Sequence, residues 1–209
     1  MLKITHSLNR INSITLLLLS VISLGSQVED LGDLESVGGD FDLVGSKIKS
    51  LGKLKTVGYD LVLQNSKVTD LGSLKSVGRS VYLQDSQVTS LGNLESVGRS
   101  IGLQDSKVTD LGKLKTVGND VYLRDSQVTS LGNLETVGGN IDSRDTKLSD
   151  LGNLETVGGE LNLKETKVKD LGKLESVGGN LNLQNTQVTS LGKLESVGGT
   201  LDLRDTKLA

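Results

Sequence analysis

The sequence predicts a mainly-β fold, a parallel β-solenoid or leucine-rich array of nine 20-residue coils. Two observations carry this prediction. A Leu-Gly pair begins every twentieth residue from Leu31 to Leu191, with no insertion or deletion between rows. An aliphatic alternation such as Leu61-Val62-Leu63 recurs once per row and is typical of a strand with two inward side chains. A fixed period of this length indicates stacked repeats that bury one continuous core.

The positions within one row predict the path of each coil. In the row that begins at Leu51, the aliphatic residues are Leu51, Leu54, Val57, Leu61, Leu63 and Val68. Their initial spacing of three predicts a tight turn, because the segment is too short for a stable helix. Gly52 and Gly58 are the predicted corners, since glycine adopts positive φ and permits close backbone approach. Stacking at about 4.8 Å per coil then predicts one buried ladder: Phe41, Leu61, Val81, Ile101, Val121, Ile141, Leu161, Leu181 and Leu201.

Composition excludes several classes of function. The 209 residues include no Cys and one His, His6, which lies outside the repeats. A Ser-His-Asp triad therefore cannot form within the repeats, and thiolate metal sites are excluded. The net charge of −3 provides no basic field for nucleic acid. We therefore expect no enzyme, no cofactor and no metal.

An acidic column invites a calcium hypothesis: Asp85, Asp105, Asp125 and Asp145. Basic residues are interspersed with it, namely Arg124, Arg144, Lys107 and Lys147. The glycine-aspartate spacing of calcium-binding β-helix repeats is absent. A solvated face with compensated charge is the preferred interpretation.

The stretch "LVLQNSKV" at 61–68 resembles the leucine-rich repeat core "LxLxxNxL", and "LESVGGNLNL" at 174–183 resembles the L-domain repeats of growth-factor receptors. The resemblance covers all but about the first 25 residues. Where leucine-rich repeats carry Asn, this chain carries a hydroxyl, which we expect to bond the backbone of a neighbouring coil: Ser46, Ser66, Ser86, Ser106, Ser126, Thr146, Thr166, Thr186 and Thr206. The resemblance implies partner binding on the strand face, with no fixed chemistry.

The segment 1–25 breaks the repeat. Lys3 and Arg10 precede an apolar run at residues 14–24, which predicts a secretory signal peptide. The run is too short for a stable membrane span. An N-terminal capping segment is the alternative, and 26–209 is the solenoid. The signal predicts a secreted or cell-surface protein, whereas a cap would be compatible with a cytoplasmic one.

The candidate site lies at the ninth and twelfth positions of the early rows. All three tyrosines of the chain fall there, together with two arginines: the predicted partner-binding residues are Tyr59, Val62, Arg79, Tyr82, Arg99 and Tyr122. Exposed Tyr and Arg are typical of the centre of a protein interface. Gly102 is expected to leave a gap between Tyr82 and Tyr122. Random drift among duplicated rows explains the same residues equally well.

These observations predict a non-enzymatic protein-interaction or cell-surface binding module with a protein partner. One alternative is a structural array element that self-associates end to end through its C-terminal coil. A weaker alternative is an ice- or mineral-binding surface on the column Thr69, Thr89, Thr109 and Thr129, although Lys49, Ser149 and Lys169 interrupt that column. In the core, Ser143 replaces a leucine and is expected to bury a hydroxyl without a partner.

Overall fold

The computed structural model describes residues 29–208 together with the strand segments 2–3 and 21–23. These residues form two parallel sheets wound into a β-solenoid of about eight turns, without a helix. The predicted fold class is therefore confirmed, and the chain is a repeat protein with coils of 20 residues. In the described part of the chain, no helix is long and apolar enough to cross a membrane.

Each coil contributes one short strand to each sheet. The first sheet, with 11 strands among the described residues, contains β1 (Leu2–Lys3), β2 (Val21–Ser23), β4 (Asp40–Asp42), β6 (Leu61–Val62), β8 (Val81–Tyr82), β10 (Ile101–Gly102), β12 (Val121–Tyr122), β14 (Ile141–Asp142), β16 (Leu161–Asn162), β18 (Leu181–Asn182) and β20 (Leu201–Asp202). The second, with nine, contains β3 (Ser36–Val37), β5 (Thr56–Val57), β7 (Ser76–Val77), β9 (Ser96–Val97), β11 (Thr116–Val117), β13 (Thr136–Val137), β15 (Thr156–Val157), β17 (Ser176–Val177) and β19 (Ser196–Val197).

The register follows the 20-residue period. Phe41 pairs with Leu61, and Ile101 pairs with Val121, so identical positions stack on one another. The predicted ladder is buried from Phe41 to Leu181, whereas Leu201 in the last described coil is half-buried. A buried aliphatic side chain contributes about 1.5–3 kcal/mol, so one coil alone cannot offset its ordering entropy and stacking is required.

The Leu-Gly corner is a tight turn, as predicted. The amide of Leu54 donates to the carbonyl of Leu51 at 3.1 Å, and Gly52 between them has a φ of 56°. The second predicted corner has a different cause. Gly58 does not adopt positive φ, but a Cβ at this position would collide with the carbonyl of Gly38 in the preceding coil.

The hydroxyl column behaves differently from the expectation. Thr166 Oγ1 donates to the carbonyl of Leu163 in its own coil at 2.7 Å, and Thr186 does the same to Leu183. The predicted bond to a neighbouring coil is therefore wrong, because the hydroxyl is held against its own turn. Within the described residues, the hydroxyls of Ser86 and Ser126 are buried without a partner.

Acceptors at the tenth position of the row link neighbouring coils instead. Asp60 Oδ1 accepts the amide of Ser80 at 2.8 Å, and Asp120 Oδ1 accepts the amide of Asn140 at 2.8 Å. Asn140 Oδ1 in turn accepts the amide of Glu160 at 2.7 Å. This ladder of side-chain oxygens precedes the strands of the first sheet and was not predicted from the sequence.

The acidic column occupies a turn with left-handed backbone geometry. Asp85 and Asp105 have φ values of 55° and 53°, and both side chains are exposed. Aspartate and asparagine tolerate this region better than most residues, which accounts for their recurrence. Among the described residues, no cluster of three or more His, Cys, Asp or Glu residues could hold a metal ion.

Ser143 also departs from the expectation. Its side chain is fully buried in the ladder between Leu123 and Leu163, but its Oγ donates to the carbonyl of Asn162 at 2.8 Å. The predicted partnerless hydroxyl is therefore wrong. The carbonyl lies in the next coil, where the parallel register places it beside position 143.

The proposed leader falls largely outside the described residues. Its two described segments, β1 and β2, pair in parallel with each other, and β2 pairs with β4. The prediction that residues 1–25 are a signal peptide or a cap stays a prediction.

Candidate partner-binding surface

The ninth position of the row forms a continuous column ahead of the first sheet. The amide of Arg79 donates to the carbonyl of Tyr59 at 3.1 Å, and the amide of Arg99 donates to the carbonyl of Arg79 at 2.9 Å. These three predicted residues therefore lie in three successive coils. Their backbones are about 4.8 Å apart, the spacing of a parallel ladder.

Tyr59 and Arg79 make a direct contact. The guanidinium carbon of Arg79 lies 4.1 Å from the centroid of the Tyr59 ring, a cation–π geometry. Tyr59 is 41% exposed, and Arg79 is also exposed. The stacked pair is therefore held on the surface, with the edge of the guanidinium available to a partner.

The twelfth position forms the second column, on the outer side of the first sheet. Val62 pairs with Tyr82, Tyr82 with Gly102, and Gly102 with Tyr122. Tyr122 is 38% exposed, and Val62 and Tyr82 are half-buried. All four side-chain positions point away from the aliphatic core.

The gap expected over Gly102 is filled. Gly102 is buried, and a Cβ on it would lie 2.6 Å from Gln84 Nε2 and 3.1 Å from Gln104 Oε1. The amide of Gln84 donates to Gln104 at 3.3 Å and accepts from Gln64 at 3.1 Å. The missing side chain thus makes room for a glutamine ladder between the tyrosines, and the predicted open gap is wrong.

A hydrogen-bonded bridge connects the two columns. Tyr122 Oη donates to Asp120 Oδ2 at 3.0 Å, and Asn119 Nδ2 donates to the same oxygen at 2.9 Å. Asn119 lies next to Arg99 in the ninth-position column, and its amide donates to the Arg99 carbonyl at 2.9 Å. The structure therefore places the six predicted residues along two adjacent, linked columns, which we call the Tyr/Arg surface.

The same bridge affects the chemistry of Tyr122. Its pKa is raised above the usual value, first by burial and then by the hydrogen bond to Asp120 and the negative charge of that carboxylate. The phenol therefore stays protonated at neutral pH and acts as a hydrogen-bond donor. Its orientation is fixed by Asp120, which leaves the ring as an exposed, ordered contact surface.

Arg79 and Arg99 have no ion-pair partner among residues 29–208. Arg144, by contrast, binds Asp142 with its Nη2 2.7 Å from Oδ2. The hydrogen bond from Arg144 lowers the pKa of Asp142 below the usual value. The arginines of the Tyr/Arg surface thus differ from those of the later coils, which are neutralised by their own chain.

An open groove runs along the second sheet beside this surface. Its volume is about 520 Å³, and it is lined by hydroxyl and glycine columns that include Thr56, Gly58, Ser76 and Gly78. Gly58 and Gly78 directly precede Tyr59 and Arg79 in the chain. The hydroxyl column is continuous from Ser36 to Ser196, unlike the interrupted threonine column considered from the sequence.

Sequence reasoning missed the polar residues that order this surface, namely Gln64, Gln84, Gln104, Asn119 and Asp120. Three glutamines at the same row position in successive rows were a usable signal. The role of Asp120 was not readable, because it depends on contacts with Asn119 and Tyr122.

No protein-family model matches this chain, and no curated protein or solved structure matches it significantly.

Proposed function

We propose that this protein is a non-enzymatic protein-binding module of the leucine-rich-repeat type, which captures its partner on the Tyr/Arg surface. The observation that carries the proposal is the unneutralised Arg79–Arg99 column bordered by ordered tyrosine rings. Tyrosine and arginine dominate the energetics of protein interfaces, because each combines a large contact area with directional hydrogen bonds. The repeats carry no histidine or cysteine, which favours recognition over catalysis.

The scaffold supports this role through rigidity. Tyr82 and Tyr122 stand on strands whose register is fixed on both sides by parallel pairing. The glutamine ladder fills the space between their coils. A surface that is ordered before binding loses little conformational entropy when the partner arrives.

Partner capture with matched variants tests the proposal. The wild-type chain, Tyr82→Ala/Tyr122→Ala and the control Asn162→Ala/Asn182→Ala are each immobilised, and captured proteins are identified by mass spectrometry. Asn162 and Asn182 occupy the same column in later coils. We expect a partner that binds the wild type and the control but not the tyrosine variant, and that retains this pattern when purified. Equal capture by all three chains contradicts the proposal.

End-to-end self-association is a second candidate. Leu201 and Leu203 are half-buried, whereas their equivalents Leu181 and Leu183 are fully buried by the next coil. Unpaired strand edges and partly exposed aliphatic side chains favour association. Sedimentation velocity over a dilution series would then show assembly that Leu201→Lys/Leu203→Lys abolishes. A wild-type monomer at every concentration contradicts this candidate.

The continuous hydroxyl column supports the ice- or mineral-binding alternative. Thr56, Thr116 and Thr136 are exposed on the second sheet at the regular coil spacing. An ordered lattice would contact several coils at once. We would then expect inhibition of ice recrystallisation, or adsorption to a mineral, that Thr116→Lys/Thr136→Lys removes. No effect of the wild-type chain on either surface excludes this alternative.

A further inference from the structure

The two arginines of the Tyr/Arg surface lie where the tenth-position acid is missing. Tyr59 and Asn119 are followed by Asp60 and Asp120, but Arg79 and Arg99 are followed by Ser80 and Ser100. The two guanidinium groups therefore sit in adjacent coils without a carboxylate beside them in the row. Adjacent like charges repel each other, and an anion bound between them removes that repulsion.

The nearest tenth-position carboxylates are already engaged by the chain. Asp60 Oδ1 accepts the amide of Ser80. Both oxygens of Asp120 accept hydrogen bonds, Oδ1 from Asn140 and Oδ2 from Asn119 and Tyr122. Because these acids serve the solenoid itself, the positive charge of Arg79 and Arg99 faces outward.

The geometry favours a carboxylate as the missing acceptor. Stacking on Tyr59 holds the Arg79 guanidinium by its face, at 4.1 Å from the ring centroid. The N–H donors on its edge then match the two oxygens of a carboxylate. Side chains on one side of an extended peptide recur every ~6.8 Å, which two flexible arginines rooted ~4.8 Å apart can reach.

We propose that the Tyr/Arg surface recognises an acidic segment of the protein partner, an extended peptide whose alternate carboxylates bind Arg79 and Arg99 while its other side chains contact Tyr82 and Tyr122. This inference rests on the proposed function and names the chemistry of the partner.

Flanking acids favour a sparsely charged peptide over a dense polyanion. Asp85 and Asp105 are exposed in the same two coils as Arg79 and Arg99. The whole chain carries a net charge of −3. A nucleic acid or a sulfated polysaccharide would bring many charges against these carboxylates, whereas a short acidic peptide brings only a few.

Fluorescence anisotropy with defined peptides tests the inference. The probe is a labelled peptide in which Glu alternates with Leu, and its control replaces every Glu with Gln. We expect the Glu peptide to bind the wild-type chain, with weaker binding at higher salt. Arg79→Gln/Arg99→Gln should weaken binding about tenfold or more, as expected for the loss of charged hydrogen bonds. The matched control is Arg124→Gln/Arg144→Gln, which removes two arginines already paired with Asp125 and Asp142 and should bind like the wild type.

Each contrary outcome overturns the inference. These are no binding of the Glu peptide, equal binding of the Gln peptide, or undiminished binding by Arg79→Gln/Arg99→Gln. Tighter binding of a heparin oligosaccharide than of the Glu peptide would assign the surface to polyanions instead. Thermal unfolding of every variant establishes that it is folded.

Partner capture separates this inference from the proposed function. If Arg79→Gln/Arg99→Gln captures the partner normally while Tyr82→Ala/Tyr122→Ala does not, the binding function stands and the acidic-segment inference fails. If neither variant changes capture, the Tyr/Arg surface is not the binding site.

Discussion

Ser130 Oγ donates a hydrogen bond to Asp150 Oδ2 in the next coil at 2.7 Å, while Asp150 Oδ1 accepts the amide of Gly152 at 2.8 Å. The same arrangement joins Ser50 to Asp70 and Ser90 to Asp110. Isolated backbone bridges occur at these same pairs. At this corner the solenoid is therefore built from pairs of coils, with a structural period of 40 residues.

This pairing predicts a specific coupling energy. In a double-mutant cycle, Ser130→Ala and Asp150→Ala should couple by about 0.5–1 kcal/mol, because their bond is exposed but charge-assisted. The matched cycle uses Asp110→Ala and Ser130→Ala, whose backbones form no such bridge within the described residues. That cycle should show coupling near zero. Urea unfolding of the single and double variants measures both, and equal coupling in the two cycles would contradict the pairing.

The buried hydroxyl column predicts a stabilising substitution. Ser126 Oγ lacks a partner among the described residues, whereas Thr146 Oγ1 in the next coil donates to the carbonyl of Ser143 at 2.7 Å. The extra methyl of threonine restricts χ1 and favours this bond. Ser126→Thr should therefore raise the free energy of unfolding by about 1 kcal/mol.

Urea unfolding measures this gain, with Thr166→Ser as the reverse control. That substitution should lower stability by a similar amount, because it frees the hydroxyl that binds Leu163. A lower unfolding midpoint for Ser126→Thr would show that its coil has no room for the methyl group.

The uninterrupted period is the reason that the fold and register were predictable. With no insertion between rows, Phe41 had to stack on Leu61, and only an aliphatic core could be buried repeatedly. The direction of the polar side chains was not predictable in the same way. Thr166 and Asp120 are both short polar residues, yet one bonds its own coil and the other bonds the next. That choice depends on the backbone path, which periodicity does not specify.

The candidate surface shows the same division. The row alignment placed Tyr82, Gly102 and Tyr122 in one column, which the strand pairing confirms. The alignment could not show that Gln84 and Gln104 fold over Gly102, because this depends on side-chain rotamers. The stacking of Arg79 on Tyr59 was likewise beyond a reading of residue positions alone.

Two glycines of one coil predict contrasting effects of substitution. Gly92 has a φ of 55° and open space around its Cβ position, whereas a Cβ on Gly98 would collide with the backbone of Gly78. Gly92→Asn should cost less than about 1 kcal/mol, because asparagine tolerates left-handed geometry. Gly98→Ala should cost about 3 kcal/mol, because the parallel ladder cannot move apart locally.

Thermal and urea unfolding of the two variants compare these costs within the same coil. The reverse order, with Gly92→Asn the more destabilised, would show that turn geometry rather than backbone contact limits the repeat.

The Asp142–Arg144 pair predicts a contribution to stability that depends on pH. Two hydrogen bonds from the Arg144 guanidinium, at 2.8 and 2.7 Å, lower the pKa of the Asp142 carboxyl in the folded state. A carboxyl with a depressed pKa stabilises the fold above its ordinary pKa of about 4, and the effect is lost as pH falls through the folded-state value. Asp142→Asn should therefore unfold at a lower temperature than the wild type near neutral pH, and this difference should narrow as the pH is lowered below ~4. Thermal unfolding between neutral and strongly acidic pH measures it, with Asp145→Asn in the same coil as the control that leaves both hydrogen bonds in place. A difference between Asp142→Asn and wild type that stays constant across this range would show that the charge of Asp142 contributes nothing, and that only the shape of its side chain matters.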